Sequence, residues 1–162
     1  MILTNSHVLE EGNEVPVACD LVWGSQESTR ILFNPADEIS RFSFFEGFDA
    51  AFVTLSPGDI PQSIINDTTE YPICVTPPKI GEELLILGYP KIGATDSVTG
   101  TEGIVSGYDG NYFITSAKIS KGNSGGVAIS VQENCYFGIP TLVKADEVES
   151  LGRILDITNI FK

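Results

Sequence analysis

The sequence predicts an all-β domain of the barrel or sandwich kind, and three observations carry that reading. The 162 residues include 16 Gly and 9 Pro, and 42% of the chain is hydrophobic, a composition of short strands joined by tight turns. Apolar, β-branched and aromatic runs recur with turn formers between them. Helical periodicity is nearly absent, with one or two turns at most over Ala145 to Leu151 and a helix start at Thr158 to Lys162. The length suits one domain, which can have two lobes.

Met1-Ile2-Leu3-Thr4 reads as the tail of a strand running into Asn5-Ser6-His7-Val8-Leu9. Val15 to Trp23 and Ser28 to Phe33 read as two β-rich runs separated by Gly24 and Ser25, able to pair as a hairpin. Ile39 to Phe48 carries four Phe without a clear period and leads into Asp49-Ala50-Ala51-Phe52-Val53-Thr54-Leu55, an apolar strand with an acid at its head that Ser56 to Asp59 closes. Residues 56–80 hold five of the nine prolines and read as a surface connection between two halves. The second half contains at least five strands: Glu83 to Gly88, Ser97 to Ser106, Asn111 to Thr115, Gly126 to Val131 and Cys135 to Val143. Turns fall at Tyr108 to Asn111 and Gln132 to Asn134.

A formal charge of −13, with only nine Lys and Arg, argues against a nucleic-acid partner, since phosphate contacts need clustered cations. It favours the approach of basic or neutral ligands over acidic ones. Cys19, Cys74 and Cys135 are odd in number and lack C-x-x-C spacing, so at most one internal disulfide is expected and no metal site. Cys135 reads as a buried strand residue. No apolar run reaches membrane-spanning length and no cationic and apolar leader opens the chain, so no membrane segment is expected in it. Oligomeric state is not readable, and the compartment stays unassigned; a signal segment ahead of Met1 would make the protein extracytoplasmic.

Gly122-Asn123-Ser124-Gly125-Gly126 is the most informative stretch. Glycines beside a serine allow a sharp turn and let a substrate carbonyl approach main-chain N–H groups. His7 is the sole imidazole in the chain, so a general base of the usual type for Ser124 has to be His7. A carboxylate should then fix its tautomer, and Asp49, heading an apolar strand, fits better than Asp20, Asp59 or Asp67 in turns or exposed contexts. His7 precedes Asp49 by 42 residues and Asp49 precedes Ser124 by 75.

Leu3 to Val8, Asp49 to Leu55 and Lys121 to Gly126 together resemble the three blocks of trypsin-like serine proteases, and are most like the bacterial HtrA/Deg-type branch. Leu87-Gly88-Tyr89-Pro90, Ser97 to Ser106, Gly138-Ile139-Pro140-Thr141 and Leu151 to Ile157 extend the likeness over nearly the whole chain. The resemblance implies two antiparallel six-stranded-type β-barrels with the site in the cleft between them, over residues 1–58, a connection at 59–80, and residues 81–162. It implies a serine endopeptidase acting on polypeptide with no cofactor or metal, through His7, Asp49 and Ser124 and an acyl-enzyme. The oxyanion hole would lie at Gly122, Asn123 and Ser124. Substrate would be bound by Lys118, Ile119, Gly138, Ile139, Pro140, Thr141 and Gly152, within the segments Ala117 to Lys121, Gly138 to Leu142 and Gly152 to Leu155. The last two segments would offer backbone edges to an extended peptide. Lys118 pointing inward would favour an acidic P1 side chain; pointing outward, it would not.

Relatives carry two further strands before the histidine block and a closing helix, often with a PDZ module, after Ile160. The first barrel is therefore expected to be incomplete at its N-terminus, and the chain reads as a fragment or as having a mispredicted start. A non-catalytic, protease-like polypeptide-binding domain, an inactive fragment and an all-β structural domain stay open as alternatives.

Overall fold

The computed structural model describes residues 1–9, 18–23, 27–32, 41–56, 58–67, 71–90, 97–141 and 151–160. They divide into two compact units, Met1–Glu70 and Tyr71–Lys162. The start of the first hairpin run at 15–17, the turn formers Gly24 and Ser25, Phe33, Ile39 and Ser40, Pro57, the segment 142–150 with its expected helical turn, and 161–162 lie outside the described residues.

In the first unit, β1 (Ile2–Thr4) runs into α1 (Ser6–Leu9), a single turn. The expected hairpin forms, with β2 (Ala18–Trp23) antiparallel to β3 (Glu27–Leu32) and Ala18 opposite Leu32. β4 (Phe42–Phe44) and β5 (Ala51–Val53) complete a three-stranded sheet in the order β1-β5-β4. β5 lies in the middle, so its residues face neighbours on both sides: Ala51 is opposite Thr4 and Phe44, Val53 opposite Ile2 and Phe42. Leu9, Phe42, Ala51 and Val53 form the core of this unit, with Ile2 and Leu55 packed on it. Arg41 closes the far end of β5 through Asp59 at 3.1 Å and Ser56 Oγ at 2.8 Å, which removes Asp59 from the candidate carboxylates. Among its described residues the connection contains one short helix, α2 (Gln62–Asp67), that its prolines and polar residues did not suggest. No barrel closes among the described residues of this unit.

The second unit is a closed six-stranded barrel. Its strands are β6 (Glu83–Gly88), β7 (Thr99–Asp109), β8 (Tyr112–Thr115), β9 (Val127–Ser130), β10 (Cys135–Thr141) and β11 (Gly152–Asp156), in the order β10-β11-β8-β7-β6-β9. Leu84 and Ile86 face in while Glu83, Leu85 and Leu87 face out, the period-two pattern of a strand with one buried face. β8 and β9 alternate in the same way. Inside, Leu84, Ile86, Val105, Phe113, Ala128, Phe137 and Ile154 pack with Phe113 edge-on to Phe137 at 5.1 Å. Register shifts in β7 between Val105 and Gly107 and in β10 between Tyr136 and Gly138 add the local bend that closure of so few strands requires.

β11 is the sixth strand, beyond the five read from the pattern. It pairs with β10 on one side and β8 on the other, and without it the barrel would be open. A 3-10 turn, Ile157–Asn159, follows where a helix start was expected, because the Asp156 carboxylate accepts from Thr158 N and Oγ1 at 2.8 and 2.6 Å and from Asn159 Nδ2 at 2.9 Å. The second part of the connection belongs to the barrel: Cys74 N donates to Tyr136 O at 2.9 Å, Tyr136 N donates to Pro72 O at 3.0 Å, and Cys74 is disulfide-bonded to Cys135.

That bond closes a 61-residue separation, enough to stabilise the fold by about 4 kcal/mol if it acts by constraining the unfolded chain. Replacing Cys74 and Cys135 together by serine should therefore lower unfolding free energy by about 2–4 kcal/mol. Urea denaturation checks this, and an unchanged midpoint would show that backbone pairing alone secures residues 72–74 to β10.

Candidate active site

In the first unit the end of β1 and the one-turn helix after it wrap around the head of β5. Asn5, fully buried, donates from Nδ2 to the Asp49 carbonyl at 2.9 Å. Ser6 Oγ donates to Asp49 Oδ1 at 2.8 Å, and the backbone N–H of His7 donates to the same oxygen at 3.1 Å. His7 Nδ1 lies 2.7 Å from Asp49 Oδ2. An ionised carboxylate only accepts, so this contact calls for a proton on Nδ1, and in the neutral ring Nε2 then keeps its lone pair. The His7 side chain is 48% exposed and Asp49 23%, so the pair is accessible from outside while its carboxylate is held by donors.

In the barrel unit, Ser124 lies in the loop between β8 and β9, inside the second of two turns that share Asn123. Asn123 N donates to Ser120 O at 2.9 Å, Ser120 N donates to Asn123 Oδ1 at 3.0 Å, and Gly126 N donates to Asn123 O at 2.9 Å. The first turn needs Gly122 at φ +103°, a left-handed conformation that side chains resist. A Cβ there would also run into the Tyr89 carbonyl oxygen. Tyr89 N donates back to Gly122 O at 3.0 Å, so the loop is seated on the end of β6. Asn123 is buried against Gly88, where a Cβ would come 2.9 Å from the Asn123 Cα.

These bonds revise one expectation. The backbone N–H of Asn123 is engaged by Ser120 O, so Asn123 holds the turn and is not a donor available to an oxyanion.

The expected substrate segments fall as follows. Lys118 is exposed between buried Ala117 and partly buried Ile119, with its carbonyl accepting from Thr101 Oγ1 at 3.0 Å. Ile119 lies on Gly152, whose Cβ would come 2.6 Å from Ile119 Cδ1, so these two are brought together. Gly138, Ile139 and Pro140 are buried in β10 and Thr141 is partly buried. Pairing of β10 with β9 ends at Gly138, and Ile139, Pro140 and Thr141 are paired, among the described residues, with β11 alone. The second expected edge is not one, because Arg153, Ile154 and Leu155 are paired on both sides, with β10 and with β8. Leu142 lies outside the described residues. Ser6, Thr101 and the close approach of Gly88 to Asn123 were not read as part of the site; all are contacts across the fold that no local pattern encodes.

Residues 1–139 match the family model described as a trypsin-like peptidase domain. No curated protein matches the chain. Among solved structures, the serine endoprotease from Yersinia pestis is similar with a TM-score of 0.65 at 25% identity, covering 98% of this chain and 50% of that one. The HtrA-type protease AlgW, as a serine-to-alanine variant with a tripeptide, is similar with a TM-score of 0.64 at 17% identity, covering 98% of this chain and 49% of that one, a likeness of fold alone. The chain spans about half the length of these solved structures.

Gly122→Ala should destabilise the loop by about 1–3 kcal/mol through the positive φ, with the overlap on the Tyr89 carbonyl added to it. Chemical denaturation with the Tyr89 and Asn123 amide exchange rates reads this, and a variant as stable as wild type would refute the left-handed turn.

Proposed function

The chain belongs to the trypsin-like peptidase domain family, and from that membership we propose that it is a serine endopeptidase working on polypeptide through His7, Asp49 and Ser124. The observation that carries this reading is the His7 Nδ1 to Asp49 Oδ2 contact of 2.7 Å, which leaves Nε2 as the basic nitrogen of the sole imidazole in the chain.

In the proposed reaction His7 Nε2 takes the proton of Ser124 Oγ as the oxygen attacks the scissile carbonyl carbon. This needs the two atoms within about 2.6–3.2 Å of each other. Asp49 stabilises the imidazolium as it forms and keeps its own charge. The negative charge that develops on the carbonyl oxygen is met by the backbone N–H groups of Gly122 and Ser124, held in place by the Ser120–Asn123 turn. His7 then returns the proton to the leaving amine, giving an acyl-enzyme on Ser124, and water repeats the sequence to release it. Nothing in these steps calls for a cofactor.

For the substrate we propose an extended strand laid along Ile139 and Pro140, where β10 is paired, among the described residues, with β11, and with the P1 side chain over Ile119 and Gly152. Pro140 fits such a position, since a residue without an N–H is tolerated at strand edges.

A fluorophosphonate probe should label the wild type and leave Ser124→Ala unlabelled, and Asp49→Asn should reduce turnover of an unfolded protein substrate about 10⁴-fold. Wild type that is not labelled, yet binds unfolded polypeptide, would replace the peptidase with a polypeptide-binding domain.

With Lys118 exposed, Lys118→Ala should change the ratio of kcat/KM for matched Glu-P1 and Val-P1 peptides by less than about threefold. A larger fall in Glu-P1 cleavage would place its ammonium in the pocket.

A further inference from the structure

We infer that Ser6 is a positioning residue for the catalytic pair, its hydroxyl fixing the rotation of the Asp49 carboxylate so that Oδ2 faces the imidazole. The inference deepens the peptidase reading and rests on it for the consequence in turnover.

The two carboxylate oxygens of Asp49 are used differently. Oδ1 accepts from Ser6 Oγ at 2.8 Å and from His7 N at 3.1 Å, and Oδ2 is directed at His7 Nδ1 at 2.7 Å. Rotation about the bond to the carboxylate would exchange the oxygens, and two donors converging on Oδ1 oppose it. The restraint matters here because Asp49 is not enclosed: 23% of its side chain is exposed, so water competes for the carboxylate. A hydrogen bond to an ionised acceptor is among the stronger ones, and the Ser6 contact is of that class.

Ser6 is suited to this by place as well as by chemistry. It opens the one-turn helix that carries His7, next in sequence to the base it serves. Asn5 holds the Asp49 backbone carbonyl, so the three successive residues Asn5, Ser6 and His7 all donate to one aspartate. A shift of α1 along β5 would disturb the imidazole and the carboxylate together, and Ser6 is the member whose side chain couples the two without touching the reacting atoms.

The test compares Ser6→Ala, Ser6→Thr and Ser6→Val. Thr and Val share a shape and differ in the hydroxyl, which separates the hydrogen bond from packing even where Ser6→Ala folds poorly. The sole histidine makes the Nδ1-bound proton assignable by NMR. Ser6→Ala and Ser6→Val should weaken or abolish its downfield resonance and reduce kcat about three- to tenfold with KM little changed, while Ser6→Thr keeps both near wild type. An unaltered resonance in folded Ser6→Val, or a loss of kcat matched by the lost folded fraction alone, would overturn the inference. If wild type proves inactive while Ser6→Val still weakens the resonance, the peptidase reading falls and the hold of Ser6 on the pair stands.

Discussion

Asp49 accepts hydrogen bonds from three successive residues: Asn5 on its backbone carbonyl, Ser6 and the His7 N–H on one carboxylate oxygen, and the His7 ring on the other. The end of β1 cannot slide past β5 without breaking them, and the same bonds set the tautomer of the imidazole. The proposed chemistry and the folding of the first unit therefore meet at one side chain. The strand behind it is suited to that task, since Ala50 and Ala51 are fully buried and Val53 nearly so. A short apolar strand held on both sides is a rigid base for a partly exposed carboxylate.

The barrel unit solves a different problem, the presentation of a serine on a loop without leaving the loop free. Six strands paired in a ring satisfy their own backbone groups, and the loop before β9 is then fastened to the end of β6. Glycine at 122 and 126 permits contacts with the Tyr89 and Leu87 carbonyl oxygens that a Cβ would block. Asn123 joins the two turns through its side chain and both backbone groups. Such a loop changes conformation only by breaking several hydrogen bonds together, which is the kind of preorganisation that stabilising a developing oxyanion needs.

Residue types and their spacing were enough to single out His7, Asp49 and Ser124 as candidates and to place most strands of the barrel, because those signals are local. Alternation in Glu83 to Gly88 marks a strand wherever it is read, and the glycines around Ser124 mark a tight turn. The hairpin of β2 and β3 was legible for the same reason. Other features were hidden. β11 is buried at four of its five positions, so it shows no in-and-out alternation and is recognised by its two neighbours. α2 follows proline-rich and polar sequence that reads equally as coil. The choice of Cys74 and Cys135 among three cysteines depends on Pro72 and Tyr136 bringing residue 74 beside β10.

The sequence by itself determined the chemical repertoire: one imidazole, a glycine-flanked serine, an aspartate heading an apolar strand, and a charge of −13. Tertiary structure alone decided how those groups are used. It gave the Ser6 hydroxyl to Asp49, turned the Asn123 N–H away from an oxyanion role, and enclosed β11 between two strands where an edge was expected. The physical reason is that residue type fixes what a group can donate or accept, whereas the partner it meets is set by chain segments that pack beside it from tens of residues away.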